Sequence, residues 1–335
     1  MDYEITQESN ILKKNGELNV KGWSKKMVFN YNIDDTTANM FHIKAGDFYF
    51  ITNDKCSVCL EIRDYRKFKI YSATLVDYKR GIVHSNYVKR KFTVSKSDIP
   101  LTSSYGDISY SCKNLGMRFS KVSNNRYIRC DFVNFDDAKN LYVAIKLRET
   151  SDDTIVMVKP GADNNKYMLY NQKIPCMSAN GVIKYGGIDY KFKECSSFAI
   201  LDWNREIAQK RKSSAWCAAS GKSGNTMVGF IADYNKDDEI NPNMIFVDGT
   251  GYKINKVYLA NTDDKKEWKL ISEDGKLNVT FDALESNKIK IRHTFLSSNI
   301  KRIFGRFHGK LTLDSGKVIE IKDIMGFIET CNSNL

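Results

Sequence analysis

The sequence predicts an all-β protein made of two antiparallel β-barrels in tandem. Its 335 residues exceed what one hydrophobic core usually fills, so two domains are the expected organisation. Apolar and polar residues alternate, as in residues 277–281, and this period of two is typical of strands with one buried face. Glycine-bearing turns separate such segments. Many short strands at close intervals are typical of a sandwich or a barrel.

The first half contains a series of short strand candidates. Near the midpoint, Pro160-Gly161 is followed by a polar stretch at residues 162–165, which is typical of a link between domains. We expect the boundary between residues 155 and 185, and place the two barrels at residues 1–170 and 171–335. The strand candidates are residues 48–52, 57–63, 69–77, 117–122, 127–132 and 142–146.

The second half is predicted to be a meander of hairpins, because Gly in a tight turn supplies the positive φ that such turns require. One segment, residues 204–219, is open to two interpretations. Arg205, Glu206 and Ala208 are good helix formers, whereas the flanking residues are strand-like, so the segment is either a helix or a long loop across a barrel mouth. The predicted hairpin turns are residues 185–187, 248–251, 273–275 and 314–316.

Charge and composition limit the classes of partner. The net charge is +12, which is typical of proteins that bind nucleic acid or anionic membranes. The basic clusters are short and separated, so we expect no nucleic-acid partner, and contact with an anionic membrane stays open. No apolar run is long enough for a membrane span, and the N-terminal residues are polar. We therefore expect a cytoplasmic protein whose eight cysteines are mostly buried, reduced thiols.

Motifs for metal, redox or cofactor chemistry are weak. Cys56 and Cys59 form a CxxC, but a structural zinc site needs a second pair of ligands, and a strand would place these two thiols on opposite faces. The chain has four histidines and no zinc-protease, nucleophile-elbow, phosphate-loop or dinucleotide fingerprint. We predict no metal site and no cofactor.

The candidate site residues are polar or aromatic groups in apolar strands. Asp202 lies beside Trp203, and a carboxylate in such a place must be paired, protonated or functional. It is either a structural partner of Arg205 or Arg306, or an acid catalyst. Arg306 and His308 share one strand face and point either into a lumen or to solvent. The candidate catalytic residue is Asp202, and the candidate ligand-binding residues are Trp203, Arg205, Trp216, Arg306 and His308.

Several segments together resemble the domain-of-unknown-function family 2804 over nearly the whole chain. The most specific are Asp-Trp-x-Arg at residues 202–205, Ala-Trp-x-x-x-Ser-Gly at 215–221 and Phe-Gly-Arg-Phe-x-Gly at 304–309. The chain departs from the family pattern at Gly46, where a Trp is usual, and at Asn204, where a Gly is usual. We expect the second change to affect the conformation of the loop after Trp203 and to narrow a pocket there.

The resemblance implies a relative of the tandem lipocalin-like (calycin) proteins, which include both hydratases and ceramide carriers. Fold does not decide between these roles. Our leading hypothesis is a carrier or sensor of a hydrophobic small molecule, a lipid or isoprenoid, held in one barrel or between the two. One alternative is a cofactor-independent hydratase, cyclase or isomerase with Asp202 as proton donor. The other is an interaction module with filled barrels.

Overall fold

The structure is a computed structural model that describes residues 3–91, 99–161, 165–208, 213–234, 239–261, 267–293 and 296–334. These residues contain no α-helix, and two 3-10 turns occur at Ile33–Asp35 and Met40–His42. Almost all regular structure is antiparallel β-sheet, arranged as two large curled sheets that follow one another along the chain. The prediction of an all-β protein with two antiparallel, curled sheets in tandem is therefore confirmed.

The first curled sheet contains most strands up to Ile207. Its main path runs β7-β6-β5-β4-β15-β13-β11-β10-β9-β8, with β2, β12 and β14 added at the side, while β1 and β3 form a separate parallel pair. In chain order these strands are β1 (Ser9–Asn10), β2 (Gly22–Ser24), β3 (Phe29–Asn30), β4 (Ile43–Thr52), β5 (Cys56–Asp64), β6 (Phe68–Asp77), β7 (Ile82–Lys91), β8 (Ile108–Ser111), β9 (Leu115–Val122), β10 (Asn125–Asp136), β11 (Lys139–Arg148), β12 (Ile155–Pro160), β13 (Met168–Tyr185), β14 (Ile188–Phe192) and β15 (Phe198–Ile207).

Side chains draw the two ends of the first sheet together. The edge strand β7 reaches across to β10, where His84 Nε2 and Asn86 Nδ2 lie 3.0 and 3.1 Å from the carbonyl oxygen of Phe135. A carbonyl oxygen only accepts, so both nitrogens donate. The sheet thus curls into a half-barrel whose gap is bridged by side chains.

The second curled sheet begins at Ser214. Its order is β19-β18-β17-β16-β24-β23-β22-β21-β20, so its two edge strands are consecutive in the chain. Three residues join Lys253 to Val257, and a link that short forces the sheet to curl until its edges meet. The strands are β16 (Ser214–Ser223), β17 (Thr226–Asp233), β18 (Met244–Val247), β19 (Thr250–Lys253), β20 (Val257–Asn261), β21 (Glu267–Ser272), β22 (Leu277–His293), β23 (Leu296–Thr312) and β24 (Val318–Asn334).

The apolar residues form three main layers: one inside each curled sheet and one between the sheets. Strand β4 shows how the layers arise, because successive side chains point to opposite faces. Tyr49 and Ile51 lie inside the first sheet, whereas Phe48 and Phe50 lie between the sheets against Phe327 of β24. Both faces of β4 are therefore buried, and its sequence reads as a nearly continuous apolar run.

The structure contains the predicted strands and turns, and it resolves part of the ambiguous segment. Residues 204–207 end β15 and residues 214–219 begin β16, so these parts are strands, while residues 209–212 lie outside the described residues. Cys56 and Cys59 face different layers, as predicted for a strand. The chain changes sheet between Ile207 and Ser214. The division into domains at residues 170 and 171 stays a prediction.

Candidate functional site

The six candidate residues fall into three places. Trp203 and Arg205 point into the first sheet, and both are almost wholly buried. Asp202 points the opposite way, toward the second sheet, where Trp216 lies in the layer between the sheets. Arg306 and His308 lie on the outer face of β23 with about two fifths of each side chain exposed.

The partner of Asp202 is Lys173, not either of the expected arginines. Lys173 Nζ donates to Asp202 Oδ1 at 2.8 Å, and Asn171 Nδ2 donates to the same oxygen at 2.6 Å. The expectation of an Arg205 partner was wrong because residues three apart on a strand point to opposite faces. Arg306 instead lies 4.0 Å from Asp323. The role of Asp202 as a proton donor stays a prediction.

Lys173 also links this pair to Trp216. Its ammonium lies 3.6 Å from the centroid of the Trp216 ring, a close cation–π contact. The indole Nε1 of Trp216 donates to Glu329 Oε1 at 3.1 Å. Asp202 and Trp216, which the sequence placed in separate motifs, are thus joined through a lysine that sequence reasoning missed.

A buried charge network continues from Glu329 across the junction. Arg302 Nε donates to Glu329 Oε2, and Arg302 Nη2 lies 3.8 Å from Glu61 Oε2 of the first sheet. The Arg302 guanidinium also lies 4.2 Å from the centroid of the Phe48 ring. Glu61, Arg302 and Glu329 are each less than 5 % exposed, so this network ties the two sheets together without contact with solvent.

An open cleft of about 320 Å³ lies where the two sheets meet. Its apolar lining residues, Phe198, Ile324 and Met325, are each at most 7 % exposed, and two cations, Lys222 and Arg306, also line it. Asp54 and Asp323 supply opposite charges. The remaining lining residues are Thr52, Asn53, Cys195, Ser196, Ser220 and Gly221.

The backbone of the cleft is irregular at Asp323. This residue has a φ of 54°, and the pairing of β23 with β24 shifts register at the same place, between Phe307 and Gly309. A bulge changes the direction of a side chain and is often found beside a functional site. Here it places the Asp323 carboxylate beside Arg306 at the cleft.

The interior of the first sheet has a polar end around Arg205. The Arg205 Nη1 donates to Asp47 Oδ1 at 2.9 Å, and its Cζ lies 4.1 Å from the centroid of the Trp203 ring. Burial lowers the pKa of Arg205, while the Asp47 carboxylate acts in the opposite direction. Asp47 and Tyr49 are two residues apart on β4, so both side chains face the interior of the first sheet.

A second arginine, Arg126 of β10, lies at the same end. Its Nη1 is 3.4 Å from the hydroxyl of Tyr49, and its Nε donates to Glu149 Oε1 at 2.6 Å. Lys121 Nζ lies 2.5 Å from the other Glu149 oxygen. Arg126 could not be singled out from the sequence, because it lies in an ordinary alternating strand.

Residues 99–104, which we call the roof segment, cover this polar end. The carbonyl oxygen of Pro100 accepts from Arg205 Nε at 2.9 Å and from Nη2 at 2.6 Å. The carbonyl oxygen of Ser103 accepts from Arg126 Nη2 at 2.9 Å, and the Ser103 hydroxyl donates to Gln172. The two buried arginines therefore hold the segment by its backbone.

Other features add little to the site. A second depression, of about 660 Å³, is lined by polar residues from 124–125 and 148–152. Among the residues that the structure describes, no three His, Cys, Asp or Glu side chains are grouped so that they could hold a metal ion. No helix in this part of the chain is long and apolar enough to cross a membrane.

Comparison with solved structures finds distant similarities. A protein described as an AttH from Nitrosomonas europaea is 10 % identical, with a TM-score of 0.49, over 86 % of this chain and 91 % of the other. Kievitone hydratase from Nectria haematococca is 10 % identical, with a TM-score of 0.46, over 86 % and 88 % of the two chains. CghA is 9 % identical, with a TM-score of 0.43, over 88 % of each chain.

Sequence comparison defines the family. A search of curated proteins finds no match. The profile of the family described as "Domain of unknown function (DUF2804)" matches residues 2–334, almost the entire chain. The resemblance inferred from the motifs around Trp203, Trp216 and Arg306 is thereby confirmed, and the chain belongs to the DUF2804 family.

Proposed function

We propose that the protein binds a hydrophobic small molecule in the cleft between its two sheets. The observation that carries this proposal is the shape and lining of that cleft. Its volume of about 320 Å³ lies at the lower end of the range for small-molecule sites. The apolar side chains of Phe198, Ile324 and Met325 give it a surface on which an apolar molecule loses contact with water.

The polar groups of the cleft give such a molecule an orientation. Arg306 is held only loosely by Asp323, at 4.0 Å, and Lys222 is exposed beside it. An apolar molecule with one oxygen-bearing end would place that end against these cations. This arrangement favours a lipid or isoprenoid with a polar terminus over a pure hydrocarbon.

The cleft also accounts for the position of Arg306 on β23. On this strand Phe304 lies in the layer between the sheets and Phe307 in the interior of the second sheet, while Arg306 lines the cleft. Asp202 is not part of the described lining of the cleft. Carriage of a ligand is therefore better supported than chemistry at Asp202.

The first test is native mass spectrometry of the protein purified from its own host, with extraction of any co-purifying molecule. The second is a fluorescence titration with 1-anilinonaphthalene-8-sulfonate, an apolar ring system with one anionic group. Ser196→Trp fills the cleft, because Ser196 is exposed and lines it. Lys193→Trp is the matched control, since Lys193 is exposed in the same turn and lies outside the described lining.

We expect a bound molecule or saturable probe binding in the wild-type protein, and at least a tenfold loss of affinity in Ser196→Trp. Lys193→Trp should bind like the wild type. A clean mass together with probe binding that is equal in both variants would remove the cleft as the binding site.

A further inference from the structure

The roof segment covers the polar end of the first sheet, and its residues are not among those that line the cleft. The Nε and Nη2 edge of the Arg205 guanidinium is a fork whose two N–H groups match the two oxygens of a carboxylate. In this structure both N–H groups point at one oxygen, the carbonyl of Pro100. A single neutral carbonyl oxygen compensates the buried charge of the guanidinium less well than the two charged oxygens of a carboxylate.

Two more donors, on rings close to Arg205, have no hydrogen-bond partner among the described residues. Trp203 is 1 % exposed, and its indole Nε1 has no hydrogen-bond partner among the described residues. The hydroxyl of Tyr31 is likewise buried without a partner. Both rings pack edge-on against Tyr170, with ring centroids 5.0 and 6.2 Å from it. An unpaired buried donor is costly, so two in one place indicate that an acceptor belongs there.

The charges at this end also leave room for an anion. Arg205 pairs with Asp47, while Arg126 and Lys121 share the single carboxylate of Glu149. These three cations and two carboxylates carry an excess of one positive charge. Burial raises the pKa of Tyr31 to about 12, with the Arg66 and Arg205 charges opposing that rise, so this hydroxyl remains a donor at neutral pH.

The roof segment resembles a ligand in its apolar part as well. Ile99 is 4 % exposed and belongs to the apolar layer inside the first sheet, next to the carbonyl that Arg205 holds. The segment thus presents one acceptor oxygen to the arginine and one apolar side chain to the core. An apolar carboxylic acid presents the same two features with a second oxygen and a charge.

We propose that the polar end of the first sheet is a binding site for an apolar monocarboxylic acid, which displaces the roof segment. Its carboxylate takes the Nε and Nη2 edge of Arg205 together with Trp203 Nε1 and the Tyr31 hydroxyl. Its hydrocarbon replaces Ile99. The site is separate from the cleft, so the two proposals stand or fall independently.

Calorimetric titration with dodecanoate, and with dodecanol as its neutral analogue, tests the site. We expect dodecanoate to bind at least tenfold more tightly than dodecanol. Tyr31→Phe and Trp203→Phe each remove one donor while keeping a ring, and each should weaken dodecanoate binding about tenfold. Tyr31→Phe should unfold at the same or a higher temperature than the wild type, because it removes an unpaired buried group. Trp203→Phe also leaves a cavity in the core and should unfold at a lower temperature.

Tyr190→Phe is the matched control. Tyr190 is also a buried tyrosine of the first sheet, but its hydroxyl already donates to Asp77 Oδ2 at 2.7 Å. This variant should lower the unfolding temperature and leave dodecanoate binding unchanged. Hydrogen exchange of the amides of the roof segment should become faster when dodecanoate binds.

Three outcomes would overturn the proposal. Dodecanoate could fail to bind, in which case the two donors hold only water. It could bind no better than dodecanol. Or its binding could be lost in Ser196→Trp and retained in Tyr31→Phe and Trp203→Phe, which would assign it to the cleft and support the proposed function instead.

Discussion

The interiors of the two sheets differ in one respect: buried charge. Inside the first sheet, Asp47, Arg126 and Arg205 form a polar end beneath the roof segment. In the second sheet, the described buried charges, Arg302 and Glu329, belong to the network between the sheets, and its interior cluster is apolar. The interior of the second sheet is therefore apolar packing, whereas the interior of the first sheet also holds a group of paired charges.

The variant expected to change the free energy of unfolding most, and so to test this contrast best, is Asp47→Asn. The change leaves the Arg205 charge buried beside a neutral amide, and breaking a buried pair in this way costs about 3–5 kcal/mol in the free energy of unfolding. Urea denaturation measures the loss. Asp282→Asn is the control, since Asp282 is half exposed at 3.5 Å from His308 on the outer face and should cost at most about 1 kcal/mol. Equal losses in both variants would contradict the distinction.

A second test uses alkaline pH. Burial raises the pKa of Tyr49 to about 12, with Arg126 opposing that rise, whereas the reference value is 10.0. A raised pKa in the folded state means that the folded protein holds the Tyr49 proton more tightly than the unfolded chain does. The contribution of Tyr49 to the free energy of unfolding is therefore fully present below pH 10 and is lost as the pH rises toward 12. A difference of two pKa units corresponds to about 2.7 kcal/mol, half of which is lost by pH 11.

Tyr49→Phe should therefore lose about 1.4 kcal/mol less than the wild type between pH 8 and pH 11, measured by urea unfolding at each pH. Phe50→Leu is the control, because it removes packing on the other face of the same strand and no titratable group. It should follow the pH dependence of the wild type. A parallel loss in the wild type and in Tyr49→Phe would show that Tyr49 is not buried as described.

The test with the smallest expected effect on the free energy of unfolding compares the apolar parts of the two interiors. Ile145 in the first sheet and Ile245 in the second are both almost fully buried. Replacing either by Val removes one methyl group and should cost about 0.5–1.5 kcal/mol in the free energy of unfolding. Similar losses in the two variants would show that the apolar parts of the two interiors are packed alike and that the interiors differ only at the charged end of the first sheet. A negligible cost at Ile245 alone would indicate loose packing in the second sheet, with space for a ligand there.

Much of the fold could be predicted from local patterns. The turns at Gly186-Gly187, Gly249, Gly275 and Gly316 follow from residues that adopt positive φ, and all of these glycines do so in the structure. The strand character of residues 204–207 and 214–219 was ambiguous, because helix propensity is a weak signal that sheet pairing overrides.

The candidate site could be predicted only in part. Sequence reasoning selected Trp203, Arg205 and Arg306 because polar or large aromatic groups in apolar strands are unusual. It paired Asp202 with the wrong residue and missed Lys173 and Arg126, since each lies in a strand that is distant in sequence from its partner.

The sequence by itself determined the class of fold, the alternation of faces along each strand and the family. These are local properties, set by side-chain period, turn chemistry and the spacing of residues within a motif. Tertiary structure alone decided which faces meet. It placed Asp202 against Lys173, Arg205 against Asp47 and Pro100, and Arg306 in the cleft. Strand order and sheet curvature bring together residues that are 29 positions apart in the first pair and more than one hundred apart in the two contacts of Arg205.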